Sequence, residues 1–275
     1  GQLENYINEN KISVILVRSD TTVRKEVIDA CPNLKIIGRG GVGMDNIDVE
    51  YARKNGLRVI NTPAASSSSV AELVFAHLFG AVRFLYDSNR NMPLEGESNF
   101  KGLKKAYAKG IELRDKTLGI IGFGRIGQEV AKIGLGVGMN VLATDKYMDA
   151  AEIEVSLFNG ASLNVSIDTT SMESVLRQSD FISLHVPAQK NYVIGKKELG
   201  MMKDGSAIIN ASRGGVVDEV ALVNALDSNK LAFACLDTFE NEPKPEVQLL
   251  MHSKISLTPH TVSYTHLRAH ETDSY

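Results

Sequence analysis

The chain has 275 residues, 43% of them apolar, and a net charge of −3, so it can supply one large or two smaller cores and lacks the basic excess that nucleic acid requires. Cys31 and Cys235 lie far apart without C-x-x-C spacing, and no His/Cys cluster marks a metal site, so reduced thiols in a cytoplasmic protein are expected. The longest apolar stretch, Val70 to Leu85, is interrupted by Glu72, His77 and Arg83 and is too short to cross a bilayer.

Ser13 to Val17 and Leu34 to Ile37 are β-branched runs of buried-strand type, with a helical pattern from Lys25 to Ala30 between them. Alternation of this kind predicts a parallel sheet with crossover helices. The second run leads into Gly38-Arg39-Gly40-Gly41-Val42-Gly43, a glycine-rich loop at a strand's C-terminal end that suits either an anion or a flexible turn. Arg18 and Arg39 follow strand ends, where they face a crevice or solvent. Leu57 to Ile60 is a third strand, and Pro63 after it is a candidate hinge, because proline cannot continue a ladder. Ser69-Val70-Ala71-Glu72 has the capping-box pattern and predicts a helix to about Tyr86. His77 and Arg83 on that helix carry core or surface roles, and Asn91 to Lys109 reads as a polar connection.

Leu118 to Asp145 organises the rest. An apolar strand ends in Gly122-Phe123-Gly124-Arg125-Ile126-Gly127, which fits G-x-G-x-x-G; a helical stretch follows, then the strand Val141 to Thr144 and the acid Asp145. Gly122 suits the tight turn, Gly124 the approach of a pyrophosphate and Gly127 the close packing of the helix. A carboxylate at Asp145 suits the hydroxyls of an adenosine ribose and repels a 2′-phosphate, favouring NAD over NADP. An S-adenosyl group, or a plain βαβ unit with a capping Asp, fits the same pattern less completely.

Ile153 to Ile167 alternates around Asn159-Gly160 and predicts an exposed hairpin with a type I′ turn near the adenine side. The parallel pattern resumes with Phe181 to His185, Ala207 to Asn210, Ala232 to Leu236 and Ile255 to Leu257, with helices near Met172 to Gln178 and Val220 to Ser228. Pro187, just past a strand end, is expected to shape a cofactor-facing loop. Arg213, Glu242 and His260 each follow such a strand and can converge on the dinucleotide crevice. Arginine holds a carboxylate bidentately, histidine exchanges a proton near neutral pH, and an adjacent glutamate favours its charged form. With a hydride carrier, that set matches reduction of a 2-oxo acid.

These segments together resemble the D-2-hydroxyacid dehydrogenases, within them the branch that acts on 3-phosphoglycerate. The resemblance rests on Val17-Arg18-Ser19, Gly38 to Asp48, Asn61-Thr62-Pro63, Val70 to Leu73, the glycine turn, Asn210 to Gly214, Leu236-Asp237 with Glu242-Pro243, and Thr258-Pro259-His260. It implies that Arg213 binds the substrate carboxylate and carbonyl, and that His260 is the acid/base supported by Glu242. NAD is then lined by Gly122, Gly124, Arg125, Ile126, Gly127, Asp145, Val186, Pro187, Ala211, Ser212 and Asp237, the last with Ala211 near the carboxamide. Arg18 and Arg39 match positions near the substrate phosphate, and the backbone of Val42 and Gly43 matches the carboxylate loop. Val42 stands where some relatives carry a hydroxyl residue, and the Asn-Gly hairpin is an insertion.

The implied protein is a cytoplasmic α/β enzyme that homodimerises through its nucleotide domain and takes a small phosphorylated 2-hydroxy acid, with no metal, nucleic acid or membrane partner. Residues 1–62 form an incomplete flavodoxin-like substrate lobe and residues 63–261 a Rossmann-type doubly wound parallel sheet. Residues 262–275 resemble the in-frame translation of a sequencing-library adapter and are expected to be non-native, leaving the chain truncated at both ends, since it also opens on Gly1-Gln2 rather than Met. A glyoxylate or hydroxypyruvate reductase is the alternative enzyme, and a non-catalytic NAD-sensing corepressor the alternative class.

Overall fold

In the computed structural model, which describes residues 1–18 and 20–261, the chain opens with a helix that the apolar pattern does not announce, α1 (Gln2–Glu9). Then come β1 (Val14–Val17), α2 (Lys25–Ala30), β2 (Ile36–Arg39), α3 (Val49–Lys54) and β3 (Arg58–Asn61). The three strands pair in parallel in the order β1-β2-β3, with Val17, Arg39 and Asn61 level at their C-terminal ends. That order is one flank of a flavodoxin-like sheet. Ile7, Val23, Ile28, Ile37 and Ala52 fill the core on which the helices rest. Strand β2 begins later than the run Leu34 to Ile37 suggests, because the Leu34 N–H closes a turn on the Cys31 carbonyl at 3.0 Å.

The chain divides into two units between Ser67 and Ser68. The boundary falls after the first residue of α4 (Ser67–Val82), so Ser69 lies inside the first turn and the predicted capping box is not the start of the helix. Nor is the stretch from Asn91 to Lys109 an irregular connection. It forms the end of α5 (Leu85–Glu95) and α6 (Phe100–Tyr107). These helices are joined by polar contacts that hydrophobic periodicity does not record: the Asn91 amide donates to the Tyr107 hydroxyl at 2.7 Å, and that hydroxyl donates to Asp87 at 2.8 Å. Among the described residues no single helix is long and apolar enough to cross a membrane; α4 and α5 reach that length only together, across a 50° bend.

Next come β4 (Thr117–Ile121), α7 (Arg125–Val137), β5 (Asn140–Thr144), β6 (Ala150–Ser156), β7 (Ser162–Asp168) and α8 (Met172–Gln178). They are followed by β8 (Phe181–Leu184), α9 (Lys196–Met201), β9 (Ser206–Asn210), α10 (Glu219–Asp227), β10 (Leu231–Leu236), α11 (Val247–Leu250) and β11 (Ile255–Leu257). Six strands make one sheet in the order β11-β10-β9-β8-β4-β5, every pair parallel. Alternate residues feed two cores. Leu118, Ile120, Phe181, Ile209 and Cys235 meet α4 and α7 on one face, while Ile121, Ile182, Ile208 and Leu236 meet α8 and α10 on the other. Both faces being covered, β8 and β9 are buried along their whole length, as continuous apolar runs in parallel sheets are.

The hairpin β6–β7 stands apart as its own antiparallel pair. Its turn is not the expected type I′. Gly160 alone has positive φ, at 83°, the Gly160 N–H bonds the Leu157 carbonyl at 3.0 Å, and Leu157 pairs with Ala161. This is a type I turn closed by a glycine bulge, whose central Phe158 and Asn159 need no left-handed backbone. Ile153 and Ile167 anchor the hairpin in the α4–α7 core.

Candidate active site

Strand order reverses between β4 and β8, which leaves a crevice at their C-terminal ends, the position where open α/β sheets take ligands. Gly122 turns the chain out of β4 with φ of 91°, and a Cβ there would stand 2.5 Å from the His185 carbonyl oxygen. No other residue fits both the angle and the space. A Cβ on Gly127 would run into the Gly122 carbonyl and Ile120, so that glycine lets α7 settle against the sheet. Around Gly124, at the N-cap of α7, a Cβ would meet nothing within 4 Å. An open glycine at a helix N-terminus leaves room for an anion to approach the first amides of the helix, those of Arg125 and Ile126.

Asp145, just past β5, binds the loop directly. Its Oδ2 accepts from the Phe123 N–H at 2.7 Å and its Oδ1 from the Tyr147 N–H at 2.8 Å. A carboxylate has about four lone-pair sites, so acceptors remain for two ribose hydroxyls. One acid thus orders the turn from both of its oxygens.

Val186 and Pro187 follow β8, Val186 lying beside Gly122 and Pro187 exposed. His185, at the end of the apolar run that forms β8, is set more tightly. Its Nε2 meets the Ser183 hydroxyl at 2.8 Å, its Nδ1 is buried without a hydrogen bond, and burial lowers its pKa from 6.5 to about 3. The unfolded chain therefore binds a proton that the folded chain refuses. The associated stability is present above pH 6.5 and is lost as pH falls towards 3. In urea titrations at pH 7 and pH 4, wild type is expected to lose more stability than His185→Gln; equal losses would sink the assignment.

Ala211 and Ser212, both buried, leave β9. Asn210 shapes their turn, its Oδ1 accepting from the Ser212 N–H and hydroxyl at 3.1 and 2.7 Å and its amide donating to the Arg213 carbonyl at 2.9 Å. The Arg213 guanidinium donates to the Ser212 carbonyl at 2.7 Å, which holds its root against the turn. Asp237, fully buried after β10, accepts at Oδ1 from the Thr258 hydroxyl at 2.6 Å and the Thr261 N–H at 3.0 Å.

Glu242 and His260 do come together. Glu242 Oε2 lies 2.8 Å from His260 Nδ1, while its Oε1 accepts from the Phe239 N–H at 2.9 Å. His260 sits at φ of 49°, a left-handed backbone that turns its ring out of the strand line. With Nδ1–H given to the carboxylate, the neutral ring presents Nε2 as a proton acceptor. Arg213, Asp237 and His260 thus leave the C-terminal ends of three neighbouring strands, since Leu236 pairs with both Asn210 and Leu257. A cleft of about 500 Å³, lined by Tyr192, Gly214 and Glu240 among others, opens at the loops after β8, β9 and β10.

In the first unit, Arg18 follows β1 and Arg39 closes β2 beside it. Two side chains pin the glycine loop. Thr62 accepts from the Gly41 N–H at 2.8 Å and Asn61 donates to the Val42 carbonyl at 2.7 Å, so Val42 and Gly43 sit on a fixed backbone. Among the described residues no group of three or more His, Cys, Asp or Glu side chains is placed to hold a metal.

A nucleotide-binding sheet carrying an acid-paired histidine is the frame of a family that comparison identifies. Residues 75–262 match the model of the D-isomer specific 2-hydroxyacid dehydrogenase, NAD binding domain, and the chain belongs to this family. It is similar to the D-3-phosphoglycerate dehydrogenase of Archaeoglobus fulgidus, 41% identical over 93% of this chain and 46% of the relative. It is also similar to the hydroxypyruvate reductase of Thermotoga maritima, 40% identical over 91% of this chain and 78% of the relative. Among solved structures, D-lactate dehydrogenase from Aquifex aeolicus, complexed with NAD and lactic acid, is 32% identical with a TM-score of 0.76 over 95% of this chain and 79% of that one. The chain spans about half the length of the phosphoglycerate dehydrogenases it matches.

Proposed function

We propose that the protein catalyses the NAD-dependent oxidation of 3-phospho-D-glycerate to 3-phosphohydroxypyruvate, the entry to serine synthesis. The observation that carries an acid/base dehydrogenase is the Glu242–His260 pair at 2.8 Å, on a strand end beside the one that leads to Arg213. The glycine turn, α7 and Asp145 hold the dinucleotide, with Val186, Pro187, Ala211, Ser212 and Asp237 completing its site. NAD supplies the hydride acceptor when bound. Arg213 holds the substrate carboxylate and keeps C2 in register. Neutral His260 takes the hydroxyl proton on Nε2 as hydride leaves, and Glu242 stabilises the imidazolium that results.

Arg18 and Arg39 support the phosphorylated substrate, because an unphosphorylated acid needs no second anion site. NADH formation with 3-phosphoglycerate is the test. Replacing both arginines by Gln is expected to raise KM for 3-phosphoglycerate by about a hundredfold, on the scale of two lost charged hydrogen bonds, and to leave turnover of hydroxypyruvate unchanged. No activity with 3-phosphoglycerate, or equal damage to both reactions, would turn the reading towards a hydroxypyruvate or glyoxylate reductase, the activities by which two relatives are named.

The exposed Phe79, Leu85, Tyr86, Leu94 and Phe100 on α4, α5 and α6 support a homodimer formed through the nucleotide domain. Cys31 and Cys235 are free and buried, and burial raises both thiol pKa values, which supports a reducing, cytoplasmic setting.

A further inference from the structure

We propose that His77 is a positioning residue that sets the Asp237 carboxylate for the nicotinamide carboxamide, acting through Thr258. The inference rests on the NAD reading above and assigns a role to a helix residue that the glycine turn and the acid/base pair do not involve.

His77 lies on α4 with 6% of its surface exposed, and both ring nitrogens meet hydroxyls at the end of β11. Nδ1 is 2.8 Å from Ser256 Oγ and Nε2 is 2.9 Å from Thr258 Oγ1. Thr258 Oγ1 is in turn 2.6 Å from Asp237 Oδ1. Chemistry fixes the direction of every proton in this chain. An ionised carboxylate only accepts, so the single Thr258 proton goes to Asp237. Thr258 then has only lone pairs to offer His77, so Nε2 carries the ring proton and donates it. Nδ1 is left bare and accepts from Ser256. The ring is held neutral, since burial lowers its pKa more than the nearby Asp237 raises it.

The relay therefore has one arrangement, and its last member is the carboxylate. The Thr258 hydroxyl cannot rotate while its lone pair is taken by Nε2, so its proton stays on Oδ1, where the Thr261 N–H also donates at 3.0 Å. Two donors on one oxygen set the plane of the carboxylate. A leucine at 77 would fill the volume and keep the core but would release the Thr258 rotor. A glutamine would keep an N–H donor close to the position of Nε2.

The test uses the whole chain. Nitrogen-15 spectra of the imidazole at neutral pH are expected to show His77 as the Nε2–H tautomer. Calorimetric titration is expected to give His77→Leu an NAD dissociation constant about tenfold above wild type, the scale of one hydrogen bond to a charged group. His77→Gln should stay within about threefold. ADP-ribose, which lacks the nicotinamide, should bind all three proteins alike. An Nδ1–H or doubly protonated ring overturns the inference, as does equal weakening by Leu and Gln or equal loss of NAD and ADP-ribose affinity. If wild type binds neither nucleotide, the NAD reading is what fails, and the tautomer alone still accepts or rejects the relay.

Discussion

Replacing His260 with Asn is expected to lower kcat by about 10²–10⁴-fold, the range that a positioned acid/base contributes. The ring stands at a strand end, a third exposed, and its Nδ1 contact is with Glu242. The substitution therefore removes the proton acceptor without opening the core, and the melting temperature and NAD affinity should hold. Glu242→Gln separates the two members of the pair. Its amide oxygen can still accept from the Phe239 N–H, so the loop keeps its shape while the imidazolium loses its counter-charge. A smaller loss in kcat than that of His260→Asn is expected. Steady-state rates with saturating NAD check both variants. A kcat reduced less than about tenfold by His260→Asn would remove this histidine from the chemistry.

Arg213→Gln is the second large effect. Truncating one partner of a hydrogen-bonded charge pair costs about 2–5 kcal/mol, which corresponds to a loss in kcat/KM of roughly 30-fold to several thousand-fold. The loss should fall on the hydroxy acid and spare NAD. Arg213→Lys should recover little, because a single ammonium cannot reproduce a planar two-point grip on a carboxylate. The Asn210 contacts to Ser212 and to the Arg213 carbonyl are main-chain and neighbouring-residue bonds that survive the change, so the turn itself should persist. An unchanged KM for the acid in Arg213→Gln would show that the carboxylate is held elsewhere.

Much of the second unit is legible in the sequence because its strands are short, mostly apolar runs broken only by small polar residues such as Ser183 and Ser256. Phe181 to Leu184 and Ile255 to Leu257 lie where the runs of β-branched and aromatic residues put them, and the helix Met172–Gln178 matches its pattern at both ends. The glycine turn was legible for the same reason: its residues answer to local backbone geometry and to the strand and helix on either side. Reading failed where polar contacts between elements did the ordering. The helices α5 and α6 are held by Asp87 and Asn91, one turn apart on α5, and by Tyr107 on α6, polar residues that an apolar period does not register. The hairpin turn was misread because the bonds of Leu157 to Gly160 and Ala161 put the bulge glycine, rather than an Asn-Gly pair, at the left-handed position.

By itself, the sequence determined a parallel α/β chain, a dinucleotide turn ending on Asp145, and which arginines, acids and histidine stand after strand ends. Those properties depend on neighbours within a few residues, where periodicity and turn chemistry act. Tertiary structure alone decided what those side chains hold. It set Glu242 on His260, bound Asp145 back to Phe123, and put both ring nitrogens of the helix residue His77 on hydroxyls, one of which is bonded to Asp237. Each of these bonds joins residues far apart in the chain, and their partners are chosen only when the sheet stacks its strand ends side by side.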